Sequence, residues 1–470
     1  MTRFAGVVTV AWPLQSSADM TTRTTILTIL MASACGGGGQ SPPDADRHQT
    51  VVELPATQNR DVDLLFMIDN SGSMADKQAN LVASFPSFIN ALQQGGAGLP
   101  NLHLGVISSD MGTSARGNPN PAPPVGTVGN GGCAGLGDGG KLTVNGAPIT
   151  GSFLSDIGLP DGTRARNYTG TLAAVFGQMA QLGATGCGFE QPLHAIRAAL
   201  DSNPANAGFL RPEAVLAVVM LTDEDDCSAA DPALFGADET TLGPLQSFRC
   251  TRFGVTCATG GASPDEMNIA GPKAQCAASV SSTLLDGVSD YRDFLVGLKP
   301  DPKQVIVSAF MGTPEPVAVE PRDTNGVTQP ALAHSCTGAV VADPGVRIQS
   351  LLDLFPQRSL APTICQQDLS GGLADIGDLI ASTTGSPCVP TPLADIDPGM
   401  PGIQVDCIVE DLVGGAVTPI APCDAAETAT CWKVQADPAS CPSAQNLKLV
   451  VVRSSPPEPT AVTRMRCVVQ

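Results

Sequence analysis

The sequence predicts an α/β protein built on a doubly wound, mostly parallel sheet. Cys-rich loop insertions decorate the sheet, and a small β-rich, disulfide-stapled C-terminal module follows it. Three observations carry this reading. Short, nearly continuous apolar runs recur at 63–69 (DLLFMID), 102–108 (LHLGVIS), 214–222 (AVLAVVMLT) and 304–310 (QVIVSAF), as strands buried on both faces require. Stretches with helical spacing lie between them. After Ser386 the helical signal fades into a Cys- and Pro-rich tail.

Taken in order, residues 20–35 read MTTRTTILTILMASAC. Arg23 supplies a basic flank, 26–34 is a short apolar stretch, and small residues precede Cys35, the layout of a secretory signal over 1–34. Met20 is a candidate true start. The segment also resembles a bacterial lipoprotein signal, which implies lipid attachment at Cys35 and a membrane anchor. Gly36, where an inner-membrane lipoprotein would carry Asp, turns that resemblance towards the outer membrane and cell surface. Simple cleavage without lipid is the alternative. Residues 35–60, opening with GGGGQSPPDADRHQT after the Cys, read as a flexible tether.

The main domain spans 61–385. Behind its first strand, 77–94 places Leu81, Phe85, Phe88 and Leu92 on one helical face. Further helices are predicted at about 171–182, 189–200, 279–298, 346–355 and 368–382. Insertions interrupt the pattern at about 112–150, 225–278 and 313–345. The first is rich in Gly, Pro and Asn, and the second is Cys-rich and irregular. Residues 386–470 form the tail module.

Composition narrows the function classes. At 470 residues the chain has room for two to three domains, and its hydrophobic share of 43 % supports a sizeable core. A net charge of −20 repels phosphate backbones and disfavours adsorption to anionic lipid through basic patches. No apolar run reaches the roughly 18 residues that span a bilayer. Of 15 cysteines, setting Cys35 aside for lipid leaves eight between Cys133 and Cys365 and six between Cys388 and Cys467. Each group is even and can close its own bridges, and none of these cysteines has C-x-x-C spacing. Extracytoplasmic disulfides fit better than zinc ribbons or redox sites.

The segment that carries chemistry is Asp69-Asn70-Ser71-Gly72-Ser73, at the end of the first strand. Ligands of open α/β sheets bind outside the carboxyl ends of strands, near the topological switch point. A carboxylate and two hydroxyls delivered there, with Gly72 permitting the bend, are hard oxygen donors suited to Mg²⁺, Mn²⁺ or Ca²⁺. Asp223 ends the strong strand at 214–222. Thr185, in GATGCGFEQPL, precedes a helix and offers another hydroxyl, with Thr169 and Thr171 as competitors for that place.

Asp69-x-Ser71-x-Ser73, Thr185, and Asp223 within LTD together resemble the metal-ion-dependent adhesion site of the von Willebrand factor A domain family. The resemblance covers roughly 61–385 and implies a VWA/Rossmann-like fold. It implies that Ser71 and Ser73 bind a divalent cation directly, most simply Mg²⁺, joined by Thr185 when a ligand is bound. Asp69 and Asp223 act through water. Donors that are mostly neutral leave the cation charge to attract an Asp or Glu carboxylate of a protein partner. The implied function is cation-dependent protein binding or adhesion at the cell envelope, without catalysis.

Other readings stay open. An envelope assembly protein with an idle site shares these features. A metal-dependent hydrolase is disfavoured because no general base of histidine-like pKa stands beside the acids. Glu224, Asp225 and Asp226 read either as a solvated acidic loop or as a second cation site at Asp225 and Asp226, helped by Asp231. No H-E-x-x-H, G-x-S-x-G or phosphate-loop motif is present. His103 and His194 read as structural.

Overall fold

The computed structural model describes residues 49–470 except 56–59, 94–97, 119, 160, 325, 385–387, 390, 401, 425, 439–440, 442–444, 456 and 459–460. The signal segment, Cys35 and most of the tether lie outside the described residues. In chain order, β1 (Gln49–Pro55) is followed by β2 (Asp61–Ile68), α1 (Ala75–Gln93), β3 (Asn101–Ser108), β4 (Leu154–Gly158), β5 (Arg164–Arg166), α2 (Leu172–Met179), α3 (Pro192–Leu200) and β6 (Val215–Leu221). Next come α4 (Glu239–Leu242), α5 (Phe248–Gly254), β7 (Val255–Thr259), α6 (Pro264–Met267), β8 (Gly271–Ala278), α7 (Val288–Gly297), β9 (Val305–Phe310), β10 (Val317–Thr324) and β11 (Val327–Leu332). The chain continues through α8 (Val346–Leu352), β12 (Ser359–Leu360), α9 (Ser370–Thr383), β13 (Cys407–Val413), β14 (Ala416–Pro422), β15 (Cys431–Ala436), β16 (Leu447–Val452) and β17 (Val462–Val468).

The apolar runs become the centre of a seven-stranded sheet of order β12-β9-β6-β2-β3-β4-β5. Its first five strands are parallel, and β4 and β5 add antiparallel at one edge. Period-2 alternation along β2 sends Leu64, Phe66 and Ile68 to one face and Leu65 and Met67 to the other. The first face meets Leu81, Phe85 and Phe88 of α1, Phe176 of α2 and Ile376 of α9. The second meets Ile196 of α3, Leu295 of α7 and Leu351 of α8. With helices on both faces, the doubly wound expectation holds. Helices α1 and α9 lie so close that a Cβ at Gly377 would fall 2.6 Å from the Ala91 Cβ.

Two expectations need correction. Region 225–278 is not merely irregular: it contributes β7 and β8, which join β10 and β11 from the 313–345 insertion in a four-stranded antiparallel sheet of order β11-β10-β8-β7. Cys257 and Cys276 face each other across β7 and β8 and are bridged. Gly271-Pro272 at the start of β8, a strand in which only Lys273 and Ala278 are buried, hide it from an apolar-run reading.

The second correction concerns the end of the tether. Gln49–Pro55 is a strand, paired antiparallel with β17 from Gln49↔Val468 to Pro55↔Val462. Leu54 and Val52 pack into the tail core with Val409, Trp432 and Met465, which gives this short polar-flanked segment its reason to be ordered. The tail sheet runs β1-β17-β13-β14-β15-β16. Cysteines pair within their two groups: Cys133–Cys187, Cys227–Cys250, Cys257–Cys276 and Cys336–Cys365 in one, Cys388–Cys441, Cys407–Cys467 and Cys423–Cys431 in the other. Among the described residues, no helix is long and apolar enough to cross a membrane.

Candidate functional site

Strand β2 has β3 on one side and β6 on the other, so the strand order reverses at its carboxyl end. Ile68 pairs with Leu221 in register, and the two chains leave the sheet side by side. That register brings Asp69 and Asp223, far apart along the chain, to one crevice.

Asp69 is fully buried. Its Oδ1 accepts the Ser71 backbone N–H at 2.7 Å, closing a tight turn, and the Ser109 hydroxyl lies at 3.5 Å from the same oxygen. Its Oδ2 accepts the Thr222 hydroxyl at 2.9 Å. Burial, and then the charge of Asp223, push its carboxyl up to about 7 against the pull of the Ser71 N–H. Gly72 has no left-handed φ and open space where a Cβ would stand, so the bend does not depend on glycine. The turn feeds α1, whose Gln78 side chain donates to Asp69 O at 2.9 Å and to Gly183 O at 2.8 Å.

Ser71 Oγ and Ser73 Oγ stand 3.4 Å apart, and Ser73 Oγ donates to Asp223 Oδ1 at 3.0 Å. Neighbouring ligands of an octahedral Mg²⁺ lie about 3.0 Å apart, given Mg–O bonds of 2.0–2.1 Å. The hydroxyl pair fits such an ion after a contraction of a few tenths of an ångström. Among the described residues, no three His, Cys, Asp or Glu side chains form a cluster that could hold a metal ion alone. The donors gathered here are hydroxyls backed by carboxylates.

Thr185 lies on the loop that closes this crevice. Gly186 N donates to Asn70 O at 2.8 Å, and Gly183 is bonded to Gln78 from both its N–H and its carbonyl. A Cβ at Gly186 would fall 2.2 Å from Asn70 Oδ1, so a larger residue there must displace the Asn70 side chain. The Thr185 side chain is exposed beside the turn. Thr171, one of its competitors, instead caps α2 through Ala174 N.

Asp225 and Asp226, read as a second cation site or a solvated loop, are neither. Both are buried. Asp225 accepts the backbone N–H groups of Arg347 and Ile348 at the start of α8. Asp226 forms a fully buried ion pair with the Arg347 guanidinium at 2.9 Å and accepts Leu193 N and Ser228 Oγ. These bonds occupy the lone pairs a cation would need. Asp231 caps the turn at 232–235 through Ala233 N.

Several groups escaped the sequence reading. Thr222 and Ser109, each next to a strand end, hold Asp69. Lys77, in the first turn of α1, stands 2.8 Å from Asp223 Oδ2. Behind the site, a cavity of about 60 Å³ is lined by Glu190, Glu224, Asp225, Asp343, Arg322 and Phe248, among others. Burial, then the Asp343 and Asp223 charges, push Glu224 up to about 8. Glu190 Oε1 is buried without a hydrogen-bond partner. The two histidines are held inside the fold, His103 against Phe209 O and His194 against Gln191.

No family model matches the chain, and no curated protein is similar to it in sequence. Solved structures it is similar to include a von Willebrand factor type A protein from Catenulispora acidiphila, at 9 % identity over 91 % of this chain and 67 % of that one, with a TM-score of 0.29. The pilus adhesin SpaC from Lactobacillus rhamnosus GG matches at 9 % identity over 89 % of this chain, with a TM-score of 0.31, and the chain spans 40 % of its length. The conserved hypothetical protein BatB from Bacteroides thetaiotaomicron matches at 11 % identity over 68 % of this chain and 98 % of that one, with a TM-score of 0.27. Likeness this coarse leaves the architecture to rest on strand order and register: the chain is a doubly wound α/β protein with a disulfide-stapled C-terminal sheet, and its structural neighbours include a von Willebrand factor type A protein.

Proposed function

We propose that this chain binds another protein through a divalent cation held by Asp69, Ser71, Ser73, Thr185 and Asp223, with Mg²⁺ the first candidate and Mn²⁺ or Ca²⁺ the alternatives. The observation that carries the reading is the pair of hydroxyls, Ser71 Oγ and Ser73 Oγ, 3.4 Å apart at the switch point, with Asp223 bonded to Ser73. Asp69 already accepts hydrogen bonds from Ser71 N and Thr222, which suits a role through water. A cation held mostly by neutral oxygens keeps charge to offer a partner's Asp or Glu carboxylate. The insertions at 112–150, 225–278 and 313–345 shape the surrounding surface, where specificity resides in loops on a rigid scaffold.

The seven disulfides support an oxidising, extracytoplasmic setting. Lipid on Cys35 would tether the protein to the outer membrane, facing the cell surface, and adhesion is the role that follows. Calorimetric titration of Mg²⁺, Mn²⁺ and Ca²⁺ into the disulfide-intact protein and its Asp69→Ala/Ser71→Ala variant tests the cation site. Saturable binding lost in the variant is expected, and equal heats in both would remove the mechanism. A second reading, an assembly component with an idle site, is favoured by the Lys77–Asp223 pair. Partner binding that survives chelation would establish it.

A further inference from the structure

Lys77 sits where an ammonium is costly. It lies in the first turn of α1, whose backbone dipole disfavours a cation, and its side chain is only 6 % exposed. The neighbours offset that cost. Lys77 Nζ donates to Ser73 O at 2.8 Å, stands 2.8 Å from Asp223 Oδ2, and lies 3.5 Å from Asp76 Oδ1. Asp223 thus holds the Ser73 hydroxyl on one oxygen and the Lys77 ammonium on the other.

We propose that Lys77 is a built-in competitor of the divalent cation, closing the site by its bond to Asp223 when the cation is absent and leaving when it binds. The inference rests on the cation-site reading above. Ser73 faces both ions, with its hydroxyl towards the cation and its carbonyl towards Lys77. Asp223 can neutralise one of them fully, and two positive charges a few ångströms apart in a poorly hydrated crevice repel strongly. The flexible four-carbon stem lets an ammonium depart where a rigid guanidinium fork would not. Asp76, whose side chain is 56 % exposed, offers the displaced ammonium a partner at the rim. The consequence is a threshold. The lysine-closed state lowers apparent cation affinity in proportion to its population, so the site loads only at high cation concentration.

Mg²⁺ titrations of the full disulfide-intact protein and its Lys77→Met variant test this. The variant should bind Mg²⁺ about tenfold tighter or more. On the unmodified chain, labelling of Lys77 by an amine-reactive reagent, read by peptide mass spectrometry, should be slow in EDTA and about tenfold faster or more at saturating Mg²⁺. Equal affinities with unchanged labelling overturn the competition and leave the cation site standing. No saturable binding in either protein overturns the cation site, and the competition with it. If Lys77→Met does not fold, labelling decides alone: acceleration by Mg²⁺ supports the proposal, and a constant rate overturns it.

Discussion

Every side chain of β6, from Val215 to Leu221, is buried, and so are seven of the eight in β2. Along β17, buried and half-buried residues alternate from Val462 to Arg466. The difference follows from what covers each sheet. Helices lie on both faces of the seven-stranded sheet, whereas the tail sheet gathers one smaller core around Val409, Trp432 and Met465. The tail adds three disulfides and cross-strand ion pairs to that core. The comparison teaches where a precise site can be built. Asp69 and Asp223 follow two of the most buried strands, so their positions are set by packing that a surface change does not disturb.

Substitutions can break or sharpen this contrast. Phe66 of β2 packs against Phe176 at 4.7 Å between centroids, and against Phe85 and Phe88 at 6.0 Å each. Phe66→Ala should cost about 3–5 kcal/mol in denaturant unfolding. It should also weaken the proposed cation binding, because the turn at Asp69 loses its support. In the tail, replacing Cys407 and Cys467 by Ser opens a bridge of sequence separation 60 and should cost about 2–4 kcal/mol. Hydrogen exchange should then quicken in β13 and β17 while β2 and β6 keep their protection. Loss of protection in β2 as well would show that the two sheets unfold as one, and the contrast would fall.

A smaller effect is expected at Arg453. Its guanidinium grips both oxygens of Asp411, at 2.6 and 2.9 Å, and Thr463 donates to the same carboxylate. Arg453→Ala should cost about 2 kcal/mol, read from the same unfolding curves. A cost above that of the opened disulfide would mean that ion pairs, not bridges, hold the tail together.

Legibility in the sequence tracks the same contrast. Strands buried on both faces announce themselves as apolar runs, and the boundaries of β2, β3, β6 and β9 fall within two residues of expectation. The Asp-x-Ser-x-Ser turn is legible because all its donors lie within five residues. What escaped is held by polar contacts between remote positions. Strands β4 and β5 are tied by Asp156, which bonds Arg164, Arg166 and Tyr168. Strand β1 is ordered by pairing with β17 at the far end of the chain and by packing Leu54 into the tail core. Asp225 and Asp226 look like free acids until Arg347, 121 positions after Asp226, is seen against them. Lys77 and Thr222 are ordinary polar residues in one dimension and partners of Asp223 and Asp69 in three.

The smallest expected effect compares two buried carboxylates of opposite surroundings. Glu410 of the tail sheet faces Arg464 and Arg466, and Glu410→Gln should lower Tm. Glu190 is equally hidden, but it faces Glu224, and one of its oxygens lacks a partner. Burial first, then the charges of Glu224 and Asp69, raise its carboxyl well above the ordinary value. A raised folded-state value means that the contribution of Glu190 to stability is complete below the ordinary carboxyl range. It is lost as pH climbs through the folded value. Glu190→Gln keeps the shape and removes the titration, so in EDTA its Tm should match the unmodified protein near pH 5 and exceed it at pH 8.5. A variant that melts lower at both pH values would mean that Glu190 is as well paired as Glu410, and that the acid-rich cavity beside Asp223 and Glu224 carries no uncompensated charge.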